Sequence, residues 1–151
     1  MSQHPEYSVD TAREAAERDD LATWVAEFLA SPGSDNADLA DLLADPPRWW
    51  LGPVELPISR LHRLAGPSDE PVLCEWDEDD WRDDVDDLAQ AIRDGFVPPP
   101  TIVSWKRGQL VLEDGNHRVE ALRRAGHELA WSVVAFETPE EREAWSPPRA
   151  A

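Results

Sequence analysis

An alternating apolar stretch, Leu110 to Glu113, runs directly into Asp114-Gly115-Asn116-His117-Arg118, and helix-forming residues then continue through Ala125 to Gly126. Period two on one side of the glycine and a helical pattern on the other predict a strand that opens into a helix through one tight turn. Gly126 stands where a helix C-terminus is capped. A chain containing such a unit must set a sheet against helices, so the fold class to expect is α+β.

The turn also carries the chemistry of the sequence. A helix start presents backbone N–H groups without intrahelical acceptors, and a glycine beside them permits close approach of a ligand. The helix terminus contributes only about 0.3–1 kcal/mol towards an anion, whereas charge-assisted bonds from His117 and Arg118 would add about 1.5–3 kcal/mol each. Gly115, Asn116, His117 and Arg118 are therefore the candidate phosphate-binding residues. Residues 101–127 hold five bases (Lys106, Arg107, Arg118, Arg123 and Arg124) and three acids (Glu113, Asp114 and Glu120), a net +2, while residues 1–100 sum to −17. The same five-residue segment also reads as an ordinary capped helix, with His117 and Arg118 solvated or paired to Glu113 or Glu120. Glu113 and Asp114 are neighbours in a strand and point to opposite faces, which argues against an acid–base pair. Asp114 is better suited to orienting Arg118 or to a metal-linked role beside a phosphate.

Ahead of this unit, Ala12, Ala15, Ala16, Leu21, Trp24, Val25 and Phe28 mark helical periodicity, with Ser8 or Asp10 as cap and a break at Ser31-Pro32-Gly33-Ser34. A short helix over residues 37–44 follows. From Trp49 the pattern changes to short strands: Val54 to Ile58, then a turn through Arg60 to Gly66, then Val72 to Cys74. Trp81, Val85, Leu88, Ala89 and Ile92 form an amphipathic helix that stops at Gly95. Residues 101–105 and 110–113 form a hairpin across Lys106-Arg107-Gly108-Gln109, and Leu129 to Phe136 is the last strand. Thr138-Pro139-Glu140-Glu141 starts a short helix, with cap, N1 proline and first-turn acids in order.

Composition narrows the function. With 32 acidic and 14 basic residues the formal charge is −18, which repels duplex DNA and anionic membranes. Direct DNA binding is not expected, since a DNA binder makes about 6–10 phosphate contacts. No apolar run reaches the roughly 18 residues of a membrane span, and the polar N-terminus shows no signal-peptide pattern, so a cytoplasmic location is expected. Cys74 is the sole cysteine, so there is no internal disulfide or cysteine-rich metal module, and no metal site is expected of the protein alone. Nine acids in residues 75–87 read as a solvated helix face, with Asp77 as cap, although they also offer a surface to a basic partner. Trp49-Trp50 reads as burial between the N-terminal helices and the sheet, and His62 and His127 as structural or surface residues.

The stretch from Val54 to Phe136 resembles the ParB/sulfiredoxin superfamily. The resemblance rests on Pro57-Ile58, "AIRDGF" (91–96), "PTIVSW" (100–105) and "GQLVLEDGNHRVEALRRAGHELAWSVVAF" (108–136). It implies a ParB/sulfiredoxin-like small mixed sheet with helices over residues 51–137, preceded by an N-terminal helical extension over 1–50 and followed by a short helix and tail over 138–151. ParB proteins carry Gly-Glu-Arg-Arg-x-Arg-Ala at this turn and bind CTP; Gly115, Arg118 and Ala121 match, while Asn116, His117 and Glu120 depart. Sulfiredoxins carry Gly-Cys-His-Arg and bind ATP; His117 and Arg118 match, but Asn116 replaces the catalytic cysteine, which argues against sulfinic-acid reduction. The free-serine kinases of the superfamily carry Asp-Gly-His-His-Arg, matched at Asp114, Gly115, His117 and Arg118, with their catalytic glutamate in an earlier loop; neither Glu70 nor Glu75 is matched to it. The DNA-binding domain that follows this fold in ParB is not expected in the 15 residues after Phe136.

The expected ligand is thus a nucleotide (ATP, ADP or CTP) with Mg²⁺, bound through its phosphates; the fold itself calls for no cofactor. Hydrolysis, or phosphate transfer to a small molecule, is the corresponding enzymatic reading, and the catalytic residues are not legible. The alternative is a non-catalytic protein-interaction module that uses the acidic, Trp-rich surface.

Overall fold

The computed structural model describes residues 7–31, 37–45, 47–65, 70–72 and 79–146. The break expected at 32–34, Cys74, Glu75, the cap at Asp77 and the tail beyond 146 lie outside them. The architecture is α+β. Six strands, β1 (Trp49–Pro57), β2 (Leu61–Ala65), β3 (Glu70–Val72), β4 (Thr101–Lys106), β5 (Gln109–Asp114) and β6 (Leu129–Phe136), lie in the order β1-β6-β4-β5-β2-β3. β4 runs parallel to β6 and β2 parallel to β5, and the remaining pairs are antiparallel.

The β4–β5 hairpin closes on Arg107 and Gly108, both at positive φ (53° and 76°), the twist that a two-residue hairpin turn requires. The region expected as a turn from Arg60 to Gly66 is different. A single 3-10 turn, Ile58–Arg60, leads straight into β2, where Leu61 pairs with Leu110 of β5 and is 2% exposed. The partner that makes Leu61 a strand residue lies some fifty positions downstream, beyond the reach of local pattern.

Alternation then builds two cores. Val103, Leu110, Leu112, Val134 and Phe136 share one cluster with Val85, Ala89 and Ile92 of α4 (Asp79–Arg93) and Ala121 and Leu122 of α5 (Asn116–Arg124). Ile102, Val133 and Ala135, their neighbours in sequence, face the other way and join Trp50 and three N-terminal helices, α1 (Val9–Glu17), α2 (Leu21–Ala30) and α3 (Ala37–Ala44). The N-terminal helices therefore cover one face of β1, β6 and β4. Ser8 caps α1, accepting from the Thr11 N–H at 3.1 Å while its own N–H donates to the Thr11 hydroxyl. The continuous apolar period seen in sequence is in fact interrupted at Arg18–Asp20, where Asp19 takes φ 57°. Trp50 is buried in this second core, as expected of the pair, but Trp49 is 37% exposed. α6 (Pro139–Ala144) closes the fold, with the Thr138 hydroxyl accepting from the Glu141 N–H at 3.1 Å.

Candidate functional site

β5 ends at Asp114 and α5 begins at Asn116, so the strand-to-helix step is made by Gly115 alone, at φ +113°. The first helical bond runs from the Val119 N–H to the Gly115 carbonyl at 2.9 Å. The N-cap residue, Gly115, has no side chain with which to cap the helix start. A Cβ on Gly115 would stand 2.8 Å from Arg118 Nη2 and 2.9 Å from Thr101 Cγ2, so side chains press directly on the bare backbone here.

Arg118 is the charged centre of the turn. Its side chain is only 13% exposed, and Nη2 donates to Asp114 Oδ2 at 3.0 Å. Rather than projecting outward from the helix end, it folds back beside Gly115 and lies over the ring of Phe28 in α2, its guanidinium carbon 5.1 Å from the ring centre. Nε is buried and has no hydrogen-bond partner among the described residues. Burial pulls the Arg118 pKa down, and the adjacent Asp114 charge and hydrogen bond oppose that shift. Asn116 contributes the first backbone position of the helix, and His117 is exposed next to it.

The other charges near the motif in sequence belong elsewhere. Glu113 points away from Asp114, as strand alternation requires: its Oε2 accepts from Ser104 Oγ at 2.7 Å and lies 3.3 Å from Lys106 Nζ. Arg123 and Arg124 both donate to Glu120, and Arg124 also reaches Asp86 of α4 at 2.6 Å. Arg107 sits on the hairpin at the opposite end of β5. The net +2 counted along residues 101–127 is therefore spread over three places, and among the described residues only Arg118 brings a guanidinium to the turn. Phe28 and Thr101, which shape the site, gave no signal in the sequence, because each arrives from a distant element. His127 is exposed, while His62 lines a cleft at the far end of β5.

No family model and no curated protein matches the chain. Among solved structures it is similar to the C-terminally truncated chromosome-partitioning protein ParB from Caulobacter crescentus complexed with CTP-gamma-S, at 26% identity and TM-score 0.40, over 58% of this chain and 44% of that one. It is similar also to sulfiredoxin from Arabidopsis thaliana, at 21% identity and TM-score 0.41, over 60% of this chain and 90% of that one. A third, a Pnob8-like ParB-N domain, matches at 14% identity and TM-score 0.40, over 66% of this chain and 34% of that one. The chain thus spans less than half the length of the ParB structures it matches. ParB and sulfiredoxin are the groups that residues 54–136 resemble in sequence.

Proposed function

We propose that this chain binds a nucleotide through its phosphates at the β5–α5 turn, with Gly115, Asn116 and His117 offering the helix start and Arg118 the charge. The observation that supports the reading is a buried guanidinium, held by Asp114 beside a glycine N-cap, whose Nε has no hydrogen-bond partner among the described residues. Native structures rarely leave such a donor without a partner, and an incoming phosphate oxygen at this place would supply one. Charge-assisted bonds of this kind contribute about 1.5–3 kcal/mol each, well above the helix terminus itself.

Among the described residues no three His, Cys, Asp or Glu side chains gather into a cation site. Mg²⁺ accompanying the nucleotide would rest mainly on phosphate oxygens and water, an arrangement common for this ion, with Asp114 as a carboxylate beside the turn. A turn that held phosphate and neutralised its charge in this way would also favour a transferring phosphoryl group. Hydrolysis or transfer to a small-molecule acceptor is the activity that such a site would serve.

Thermal unfolding followed by Trp fluorescence, with ATP, ADP, CTP and GTP each in the presence of Mg²⁺, tests the reading. A nucleotide at about 100 times its dissociation constant stabilises the fold by roughly 2.7 kcal/mol. Arg118→Lys, which keeps the charge and loses the fork, is expected to bind more weakly, and Arg118→Met, which keeps the buried stem, to lose the effect. Absence of any shift at millimolar nucleotide overturns the proposal.

A further inference from the structure

A second cleft lies at the other end of β5, remote from the turn. It has a volume of about 320 Å³, and Arg60, His62, Trp105 and Trp145 are among the residues that line it. Its volume falls at the lower end of the range of small-ligand sites. Three features of its wall point to one ligand chemistry.

The first is aromatic. The Trp105 and Trp145 rings meet edge to face, 6.3 Å between centres and 63° apart, and Trp145 is held from behind by the buried Phe136 ring at 5.5 Å. Two indoles fixed in this way present a rigid apolar surface to a flat ring. The second is charge. Among the described residues no carboxylate lines this cleft, whereas Arg60 does, exposed and without a carboxylate partner. The third is His62. Its ring lines the cleft, and its buried Nδ1 has no hydrogen-bond partner among the described residues, so no internal bond fixes the tautomer of the ring. Arg60 and His62 flank Leu61, which is anchored in the core, so the backbone beneath them is held in place.

We infer that this cleft is a binding site for a small aromatic carboxylate, its ring seated against Trp105 and Trp145 and its carboxylate on Arg60, with His62 as the second polar contact. A guanidinium matches a carboxylate through two parallel hydrogen bonds, which a point charge cannot do. The site is separate from the proposed nucleotide turn and does not depend on it.

Benzoate is the probe, with acetate and benzyl alcohol to separate charge from ring, and the readout is the indole and backbone N–H resonances of the full chain, with Trp105→Phe and Trp145→Phe to assign the indoles. Benzoate is expected to move the Trp105 and Trp145 indole signals along a saturable curve, while acetate and benzyl alcohol move them far less. Arg60→Ala, an exposed substitution that spares the core, is expected to weaken benzoate by about tenfold. The proposal is overturned by no saturable shift at tens of millimolar, by equal effects of benzyl alcohol, or by unchanged affinity in Arg60→Ala. Movement at residues 115–118 in place of the indoles also overturns it, since benzoate would then be acting as an anion at the α5 terminus.

Discussion

The guanidinium of Arg118 lies over the ring of Phe28, 5.1 Å from its centre, and so ties the start of α5 to the N-terminal helices. Phe28 is itself stacked on Trp24, 5.2 Å between ring centres, and is 3% exposed. One aromatic side chain from the first thirty residues thus forms the floor under the charged residue of the proposed site. The N-terminal helices thus cover β1, β6 and β4 and also reach the turn.

Replacing Phe28 separates these two roles. Phe28→Ala removes a fully packed ring and is expected to cost about 3–5 kcal/mol. Phe28→Leu keeps most of the volume but loses the ring face, so it forfeits the cation–π part, about 0.5–2 kcal/mol, and leaves Arg118 less firmly placed. Urea unfolding measures the first effect. Nucleotide titration of Phe28→Leu measures the second, and affinity equal to wild type would show that the ring does not position Arg118.

Asp114→Asn should act in opposite directions on stability and on anion binding. Without the carboxylate, a guanidinium that is 13% exposed loses its counter-charge, and burial then pulls its pKa further down. A partly buried ion pair broken from one side costs about 1–3 kcal/mol, less than the full interior value. A phosphate no longer competes with Asp114 for Arg118, so pyrophosphate without Mg²⁺ is expected to stabilise the variant more than the wild type. Equal stabilisation of both would separate Asp114 from the anion site.

Glu120 gives the fold a defined acid dependence. Burial alone would raise its carboxyl pKa, but hydrogen bonds and charge from Arg123 and Arg124 outweigh burial and lower it. A carboxylate whose folded value is depressed contributes stability above its unfolded value, near pH 4.3, and loses it as pH falls through the folded value. Glu120→Gln should therefore be less stable than wild type at neutral pH, by about 0.5–1 kcal/mol, and the gap should close as the solution is acidified. Urea midpoints of both proteins across that range provide the check; a gap independent of pH would assign the loss to packing.

The legibility of this fold follows the distance over which each element is decided. α3, α6 and the β4–β5 hairpin are written in neighbouring residues, through proline breaks, the Thr138-Pro139 start and the Arg107-Gly108 turn. β2 is not, because Leu61 and His62 become strand residues only by pairing with Leu110 and Val111. Nor is the interruption after α1, where three polar residues leave the apolar period intact on both sides. At the site, Asp114 to Arg118 stand out by their order. The path of the Arg118 side chain does not, since Phe28, Thr101 and Gly115 fix it jointly from three separate elements.

Gly115 and Gly126 provide the sharpest comparison, since both end up at positive φ, +113° and +92°, at the two ends of α5. A Cβ at Gly126 meets nothing within 4 Å, so Gly126→Ala incurs only the backbone strain of the left-handed region, about 1–2 kcal/mol. A Cβ at Gly115 incurs the same strain and also stands 2.8 Å from Arg118 Nη2 and 2.9 Å from the Thr101 methyl. Arg118 can swing away, but Thr101 is buried and bonded to Ser132 at 2.7 Å, so the arginine yields while the clash with the Thr101 methyl remains. Gly115→Ala is therefore expected to lose more stability than Gly126→Ala and to lose nucleotide stabilisation as well, while Gly126→Ala keeps it. Calorimetric unfolding of both variants with and without the best nucleotide tests the pair. Nucleotide stabilisation that survives Gly115→Ala would place the phosphate elsewhere on the molecule.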